Sequence, residues 1–171
     1  IESLFQANNY LISPLNTPSK FMTGDYFLTN QQHDIKKKIV DLILLDDKEH
    51  ILGIPGKAGT GKTLLFYDIL KTVAEQGLKC CLIHSGILCN GHKTLNTQWE
   101  NVNIIAAKEL NGDGAERLKK YQYIFVDESQ RIYISAFKKI LEEVISESKT
   151  VIFAYDYVQS LSKAEGNRNI P

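Results

Sequence analysis

One segment of the 171-residue sequence combines glycines with a lysine and a threonine at a spacing that suits phosphate binding. Residues 56–63 read GKAGTGKT, which fits G-x-x-x-x-G-K-[ST] at every defined position. Glycines let backbone N–H groups approach phosphate oxygens, and a helix that follows adds its positive end. We expect Lys62 to meet the β and γ phosphates of a nucleoside triphosphate and Thr63 to offer its hydroxyl to Mg²⁺. The predicted nucleotide-binding residues of this loop are Gly56, Lys57, Ala58, Gly59, Thr60, Gly61, Lys62 and Thr63.

Two adjacent carboxylates, Asp127 and Glu128, end the apolar run YIFV at residues 123–126. Like charges side by side are unfavourable unless a cation, hydrogen bonds or a shared proton offset them. In the P-loop fold an aspartate at the end of a second strand holds Mg²⁺, and Asp127 occupies such a position. Glu128 could orient and deprotonate a water that attacks the γ phosphate. The alternative is that Glu128 is a solvated acid that caps the following turn.

A third polar group follows the apolar run TVIFAY at residues 150–155, where the chain continues as Asp156-Tyr157-Val158-Gln159. An amide at the end of a strand that neighbours both the phosphate loop and the acidic pair could hydrogen-bond the γ phosphate or the attacking water. The spacing equally allows Gln159 to be a polar turn residue.

Alternating strands and helices are predicted around these groups. Apolar side chains recur at helical spacing within 30–45, 64–74 and 135–148, and residues 91–100 are a loop or short helix. Short apolar runs that indicate strands lie at 50–54, 79–84, 102–107, 121–126 and 150–155. This order predicts an α/β fold with a parallel sheet covered by helices on both faces. Residues 1–27 show no clean period and are expected to lead irregularly into the domain.

The overall composition excludes some classes of protein. Twenty Lys and Arg balance twenty Asp and Glu, so no global basic field indicates nucleic acid or a membrane. No apolar run is long enough to span a membrane, and no leader pattern begins the chain. A soluble cytoplasmic protein is therefore expected. The chain begins at Ile1 rather than Met and stops at Pro171 without a closing element, which predicts a fragment of a longer protein.

A possible zinc pattern also occurs, because Cys81, His84, Cys89 and His92 read C-x2-H-x4-C-x2-H. The alternative is a buried strand over 79–84 in which cysteine acts as a small apolar residue. Side chains three apart on a strand point to opposite faces, so Cys81 and His84 would not share one. This geometry favours the buried strand.

The motifs GKAGTGKT, VDESQR and YDYVQS resemble, in this order and spacing, motifs I, II and III of superfamily 1 DNA/RNA helicases. The segment LTNQQHDI, residues 28–35, is similar to the Q motif of that family. The nearest resemblance is to the helicase-like ATPase domain of the Schlafen group and its bacterial relatives, over Leu28 to about Ser160. It implies that residues 28–171 form a RecA-like, three-layer P-loop NTPase domain that binds ATP and Mg²⁺ and acts on single-stranded DNA or RNA.

The resemblance implies a role for individual residues. Gln32 would contact the adenine base, Asp127 would handle Mg²⁺, and Gln159 would couple the γ phosphate to movement. Gln32 also forms a capping box with Thr29 at the start of a helix, and both roles can hold. The catalytic residues so implied are Lys62, Glu128 and Gln159.

The resemblance also implies that a part is missing. The family's first domain usually continues into a second RecA-like domain that supplies an arginine to the transferred phosphate, and residues 1–171 contain none. The fragment is thus expected to bind nucleotide better than it hydrolyses it. The zero net charge favours a different interpretation, a nucleotide-dependent switch that recruits a protein partner without moving on nucleic acid. A small-molecule kinase is a third alternative, although the polar strand ends suit attack by water better.

Overall fold

The computed structural model describes residues 12–46, 48–111 and 116–158. The five predicted strands are present, as β1 (Ile51–Pro55), β2 (Cys80–His84), β3 (Val102–Ala106), β4 (Tyr123–Asp127) and β5 (Thr150–Tyr155). They form one sheet in the order β1-β5-β4-β2-β3, and every neighbouring pair is parallel. The carboxyl ends of all five strands therefore meet at one edge, which is where ligands bind in open α/β sheets.

Helices cover both faces of this sheet. They are α1 (Pro18–Thr23), α2 (Asn30–Leu45), α3 (Lys62–Ala74), α4 (Asn90–Gln98) and α5 (Ile134–Ser146). The predicted three-layer α/β fold of the RecA-like type is confirmed. No helix among the described residues is both long and apolar enough to cross a membrane.

Two separate cores lie on the two faces of the sheet. Side chains of α1 to α4 pack on one face, and those of α5 pack on the other. Strand β2 serves both cores because its side chains alternate, with Cys80 facing the first core and Cys81 the second. Burial raises the pKa of each thiol to about 12, so both are protonated and act as small apolar side chains.

Helix α1 differs from the irregular lead-in that the sequence predicts for residues 1–27. Pro18 begins it and Gly24 ends it in a left-handed conformation, as is common at helix ends. Its buried Phe21 packs against the rings of Tyr26 and Trp99, with centroids 5.4 and 5.7 Å away. Six residues are too few to show a helical period, so this helix depends on tertiary contacts that the sequence pattern does not reveal.

Gly91 in α4 allows the chain around Leu15 to pack directly on that helix. A Cβ atom at Gly91 would lie 1.9 Å from the Leu15 carbonyl oxygen, and backbone atoms cannot yield as a side chain can. Alanine in place of a helical glycine ordinarily stabilises a protein by about 1 kcal/mol. Here we expect the opposite sign: Gly91→Ala should lower the free energy of unfolding by about 1–3 kcal/mol, as overpacking does.

Urea denaturation of the wild type and Gly91→Ala measures this change. Lys93→Ala, an exposed substitution two residues further along the same helix, is the matched control and should alter stability by less than about 0.5 kcal/mol. A Gly91→Ala protein as stable as the wild type would mean that the segment near Leu15 does not pack on α4 in solution.

Candidate functional site

The glycine-rich loop leaves β1 at the carboxyl edge of the sheet and runs directly into α3. The N–H of Gly56 donates to the carbonyl of Tyr155 in the neighbouring strand β5, at 3.1 Å, and the Thr60 hydroxyl donates to the Lys57 carbonyl at 2.9 Å. Gly61 is the N-cap residue of α3 with a φ of +75°, a value that disfavours any side chain there. The loop thus places a helix N-terminus where phosphates can bind.

Lys62 and Thr63 are the first two residues of α3, and Lys62 is buried. A cavity of about 350 Å³ lies beside them, within the size range of ligand sites, and Glu128 and Asp156 line it from the ends of the neighbouring strands. The predicted loop residues that line it are Lys57, Ala58, Gly59, Gly61, Lys62 and Thr63. The structure therefore brings the loop and one of the two predicted carboxylates to the same cavity.

Asp127 is the last residue of β4 and is 2% exposed. Its Oδ1 accepts the N–H of Glu128 at 2.9 Å, whereas its Oδ2 lies 3.5 Å from Nδ1 of His84. His84 is opposite Asp127 because β2 and β4 pair in register there. A second cavity, of about 320 Å³, is lined by Thr63, His84, Asp127 and Glu128. The predicted metal ligands Thr63 and Asp127 therefore share a cavity.

Two further buried side chains stand near Asp127. Burial, and then the negative charge of Asp127, raise the pKa of the Tyr67 hydroxyl well above its usual value. Burial, and then the neighbouring His84, lower the pKa of His92 to about 4. Tyr67 and His92 are therefore neutral at pH 7, and neither adds a cation that could balance Asp127.

Glu128 follows Asp127 in a left-handed backbone conformation, with a φ of +53°, which is uncommon for a residue other than glycine. Its Oε2 accepts a hydrogen bond from Nε2 of Gln130 at 2.8 Å and lies 3.8 Å from Nε of Arg131. The side chain makes no capping hydrogen bond to the turn that follows, so the alternative role as a cap is not supported. Its carboxylate is instead held beside the cavity.

Gln130 is a site residue that the sequence analysis did not single out. Its Nε2 donates to Glu128, and its Oε1 accepts the N–H of Asp156 at 3.1 Å. The hydroxyl of Ser129 donates to the carbonyl of Ala154 at 3.1 Å. The turn after β4 is therefore tied to the end of β5 at two points, and Gln130 links the second motif to the third. The one sequence signal for this residue is its place in the VDESQR motif, two positions after Glu128.

Gln32 forms the predicted capping box and also contacts the phosphate loop, whereas its predicted contact with adenine stays a prediction. Its Oε1 accepts the N–H of Thr29 at 2.8 Å, which completes the capping box of α2. Its Nε2 donates to the carbonyl of Gly61 at 3.3 Å, so the side chain also touches the phosphate loop. Gln159 lies outside the described residues, and its predicted role stays a prediction.

Only some of the residues in the possible zinc pattern lie close together in the structure. Cys81 packs in the core on the far face, as the strand period predicts. His84 and His92 do come together, with ring centroids 4.4 Å apart. The third group at this point is Asp127, which lies far away in the sequence and was not linked to the histidines by any pattern.

Comparison with known proteins identifies a family and solved structures with a similar fold. Residues 27–168 match the family described as "PIF1-like helicase". Domain III of the replication initiation protein DnaA from Thermotoga maritima has a similar fold, with a TM-score of 0.55, 15% identity, 88% of this chain covered and 63% of that chain. AMPPCP-bound DnaA from Aquifex aeolicus has a TM-score of 0.56 and 14% identity, with 85% of this chain and 46% of that chain covered. This chain thus spans less than two thirds of either structure, and no curated protein sequence matches it.

Proposed function

Because the chain belongs to the PIF1-like helicase family, we propose that it is the ATP-binding and ATP-hydrolysing motor domain of a superfamily 1 helicase-type protein. The proposed track is single-stranded DNA or RNA, and the nearer kinship to the Schlafen-type domain is part of the proposal. The observation that carries it is that the phosphate loop, Asp127 and Glu128 line adjoining cavities. Carboxylates that face a phosphate loop suit attack by water on the γ phosphate.

The phosphate loop would bind the triphosphate. Its backbone N–H groups and the N-terminus of α3 would hold the phosphates, and the ammonium group of Lys62 would balance the negative charge at the β and γ positions. DnaA, which shares the fold, carries AMPPCP in one solved structure, and we propose that ATP binds at the matching loop here.

Mg²⁺ is expected to accompany ATP. The Thr63 hydroxyl and the Asp127 carboxylate line one cavity, and such hard oxygen ligands suit this ion. The backbone occupies Oδ1 of Asp127, whereas Oδ2 faces His84 at a distance too long for a strong hydrogen bond. The residues present therefore fit a magnesium ion. When bound, the ion would neutralise charge on the phosphates.

Glu128 would act as the general base. Gln130 and Arg131 both contact Oε2, and we propose that Oε1 takes the proton of the attacking water. The hydrogen bond from Gln130 orients the carboxylate, and because the amide is neutral it adds no positive charge beside it. Gln130 also bonds to the backbone of Asp156, so we propose that it keeps the base in register with the third motif.

Two glutamines would sense the ends of the nucleotide. The Nε2 of Gln32 rests on the phosphate loop, and we propose that it turns to the adenine base when ATP binds. Gln159 would report the γ phosphate to a second RecA-like domain of the whole protein, which would also supply an arginine. On its own, this domain should bind ATP better than it hydrolyses it.

The decisive experiment measures ATP hydrolysis by the full-length protein with and without single-stranded DNA or RNA. Closure of a second domain would bring an arginine to the phosphate, a contribution of about 10³–10⁵ in kcat in GTPases that receive such an arginine. We therefore expect stimulation of roughly tenfold or more. Lys62→Ala should lose both basal and stimulated hydrolysis, which controls for a contaminating ATPase.

Other results would support a different function. If no nucleic acid stimulates hydrolysis and a protein partner is captured only with ATP, the domain is a nucleotide-dependent switch, as its zero net charge allows. A phosphorylated acceptor in place of free phosphate would indicate a kinase.

A further inference from the structure

A second group of chemically capable side chains lies next to the proposed ATP site. It consists of His84 at the end of β2, His92 in α4 and Asp127 at the end of β4. One potential ligand atom from each lies within 4.8 Å of the other two. His92 and Asp127 are 1% and 2% exposed, so the group is nearly closed to solvent.

Two nitrogen atoms in this group are buried without a hydrogen-bond partner. They are Nδ1 of His84, whose nearest charged neighbour is Oδ2 of Asp127 at 3.5 Å, and Nε2 of His92. An unpaired buried polar atom costs about 1–3 kcal/mol, so native structures seldom keep two of them together without a ligand or water. Both atoms belong to the same cluster, in which Asp127 also offers a carboxylate oxygen.

We propose that His84, His92 and Asp127 bind a divalent transition-metal ion of the zinc type. Two imidazoles and one carboxylate are a common ligand set for Zn²⁺ and its neighbours, whereas Mg²⁺ prefers oxygen ligands alone. Three protein ligands leave a fourth position for water or another ligand. The ion would enter through the cavity of about 320 Å³ that His84 and Asp127 line together.

The distances need only a modest contraction. Bond lengths of about 2.0–2.1 Å place neighbouring ligand atoms of a tetrahedral zinc site about 3.3–3.4 Å apart. The distance from Nδ1 of His84 to Oδ2 of Asp127, 3.5 Å, is already close to this value. The ring of His92 would therefore have to move most, towards the other two ligand atoms.

Cys89 can stabilise the tautomer of His92 that binds a metal, in which the proton is on Nδ1 and Nε2 is free. Nδ1 of His92 accepts the N–H of Cys89 at 3.1 Å, which leaves the proton of the neutral ring on Nε2. Metal binding at Nε2 moves the ring proton to Nδ1, and the Nδ1–H can then donate a hydrogen bond to Sγ of Cys89, 3.2 Å away. The N–H of Cys89, an exposed residue, can then bond to water. Cys89 is thus a partner of a ligand and not a ligand.

The site predicts antagonism between two metals, and this consequence rests on the proposed function. Oδ1 of Asp127 already accepts the N–H of Glu128, so Oδ2 is the oxygen that both cations would use. Each cation should therefore weaken the binding of the other by the same factor. A zinc-type ion would then inhibit ATP hydrolysis by removing a ligand from Mg²⁺.

The test titrates Zn²⁺ into the nucleotide-free protein by calorimetry and records the visible absorption of bound Co²⁺. We expect one ion per chain, and His84→Gln and His92→Gln should each weaken binding at least about tenfold. His33→Gln, at an exposed histidine of α2, is the matched control and should bind as the wild type does. Circular dichroism and the melting temperature show whether each variant is folded.

The outcomes separate this site from the proposed function. Zinc binding that is unchanged in both folded histidine variants, or absent in the wild type, would overturn the site whatever ATP does. If zinc binds through both histidines, the site stands even when ATP fails to bind. Antagonism is then measured by repeating the titration with ATP and Mg²⁺ at buffered free Zn²⁺ concentrations, because ATP itself chelates zinc. Weaker zinc binding is expected, and unchanged binding would refute the shared oxygen.

Discussion

Replacement of Glu128 by glutamine is expected to lower the rate of ATP turnover about 10²- to 10⁴-fold, the range that a general base contributes. Glutamine has the same shape, and its carbonyl oxygen can still accept the hydrogen bond from Nε2 of Gln130. It cannot accept a proton from water. Nucleotide affinity should change little, because the proposed phosphate contacts come from the loop and Lys62, which line the cavity beside Glu128.

Phosphate release by the full-length protein measures turnover, and titration with a fluorescent ATP analogue measures affinity. Glu142→Gln removes one carboxylate from the exposed side of α5 and is the matched control for net charge. Its turnover should equal that of the wild type. A Glu128→Gln protein that hydrolyses ATP at the wild-type rate would remove Glu128 from the mechanism, whereas loss of nucleotide binding would assign it to the binding site.

The parts of this site that lie close together in the sequence could be predicted. The loop from Gly56 to Thr63 has a strict local pattern, and the apolar periods on both sides of it place it between a strand and a helix. The same holds for Asp127, because an apolar run that ends in an acid marks the end of a buried strand. In both cases one short segment carries all the information.

The contacts between segments could not be predicted. His84 and Asp127 are neighbours only because β2 lies beside β4 in the sheet, and no periodicity gives the order of strands. The expected neighbourhood of the strand at 150–155 and the acidic pair is present as the pairing of β5 with β4, but no pattern indicated the bridge from Gln130 to Asp156. Sequence spacing grouped Cys81 with the two histidines, whereas the fold places Cys81 in the other core and Asp127 beside the histidines.

A buried ion pair beside α5, between Lys149 and Glu143, is expected to have a large effect on stability. The ammonium group of Lys149 donates to Oε1 of Glu143 at 2.9 Å and to the carbonyls of Leu118 and Lys119 at 2.8 and 3.0 Å. Lys149 and Glu143 are 4% and 8% exposed. All three donor positions of the ammonium group are therefore used, and they join α5, the start of β5 and the segment before β4.

Lys149→Ala should lower the free energy of unfolding by about 3–5 kcal/mol, because it leaves a buried carboxylate without its cation. For a domain of this size that corresponds to a fall in melting temperature of roughly 6–20 °C. Thermal unfolding followed by circular dichroism measures it. Lys138→Ala, at an exposed position of α5, is the control and should lie within about 0.5 kcal/mol of the wild type.

A double substitution separates the buried charge from the lost packing. If an uncompensated carboxylate causes the loss, Lys149→Met combined with Glu143→Leu should recover much of the stability, since apolar residues of similar size often replace a buried pair without cost. Recovery would show that the pair adds no net stability beyond what apolar packing supplies at the same place. A Lys149→Ala protein that loses less than about 1 kcal/mol would instead show that water reaches Glu143, and that the pair is not buried in solution.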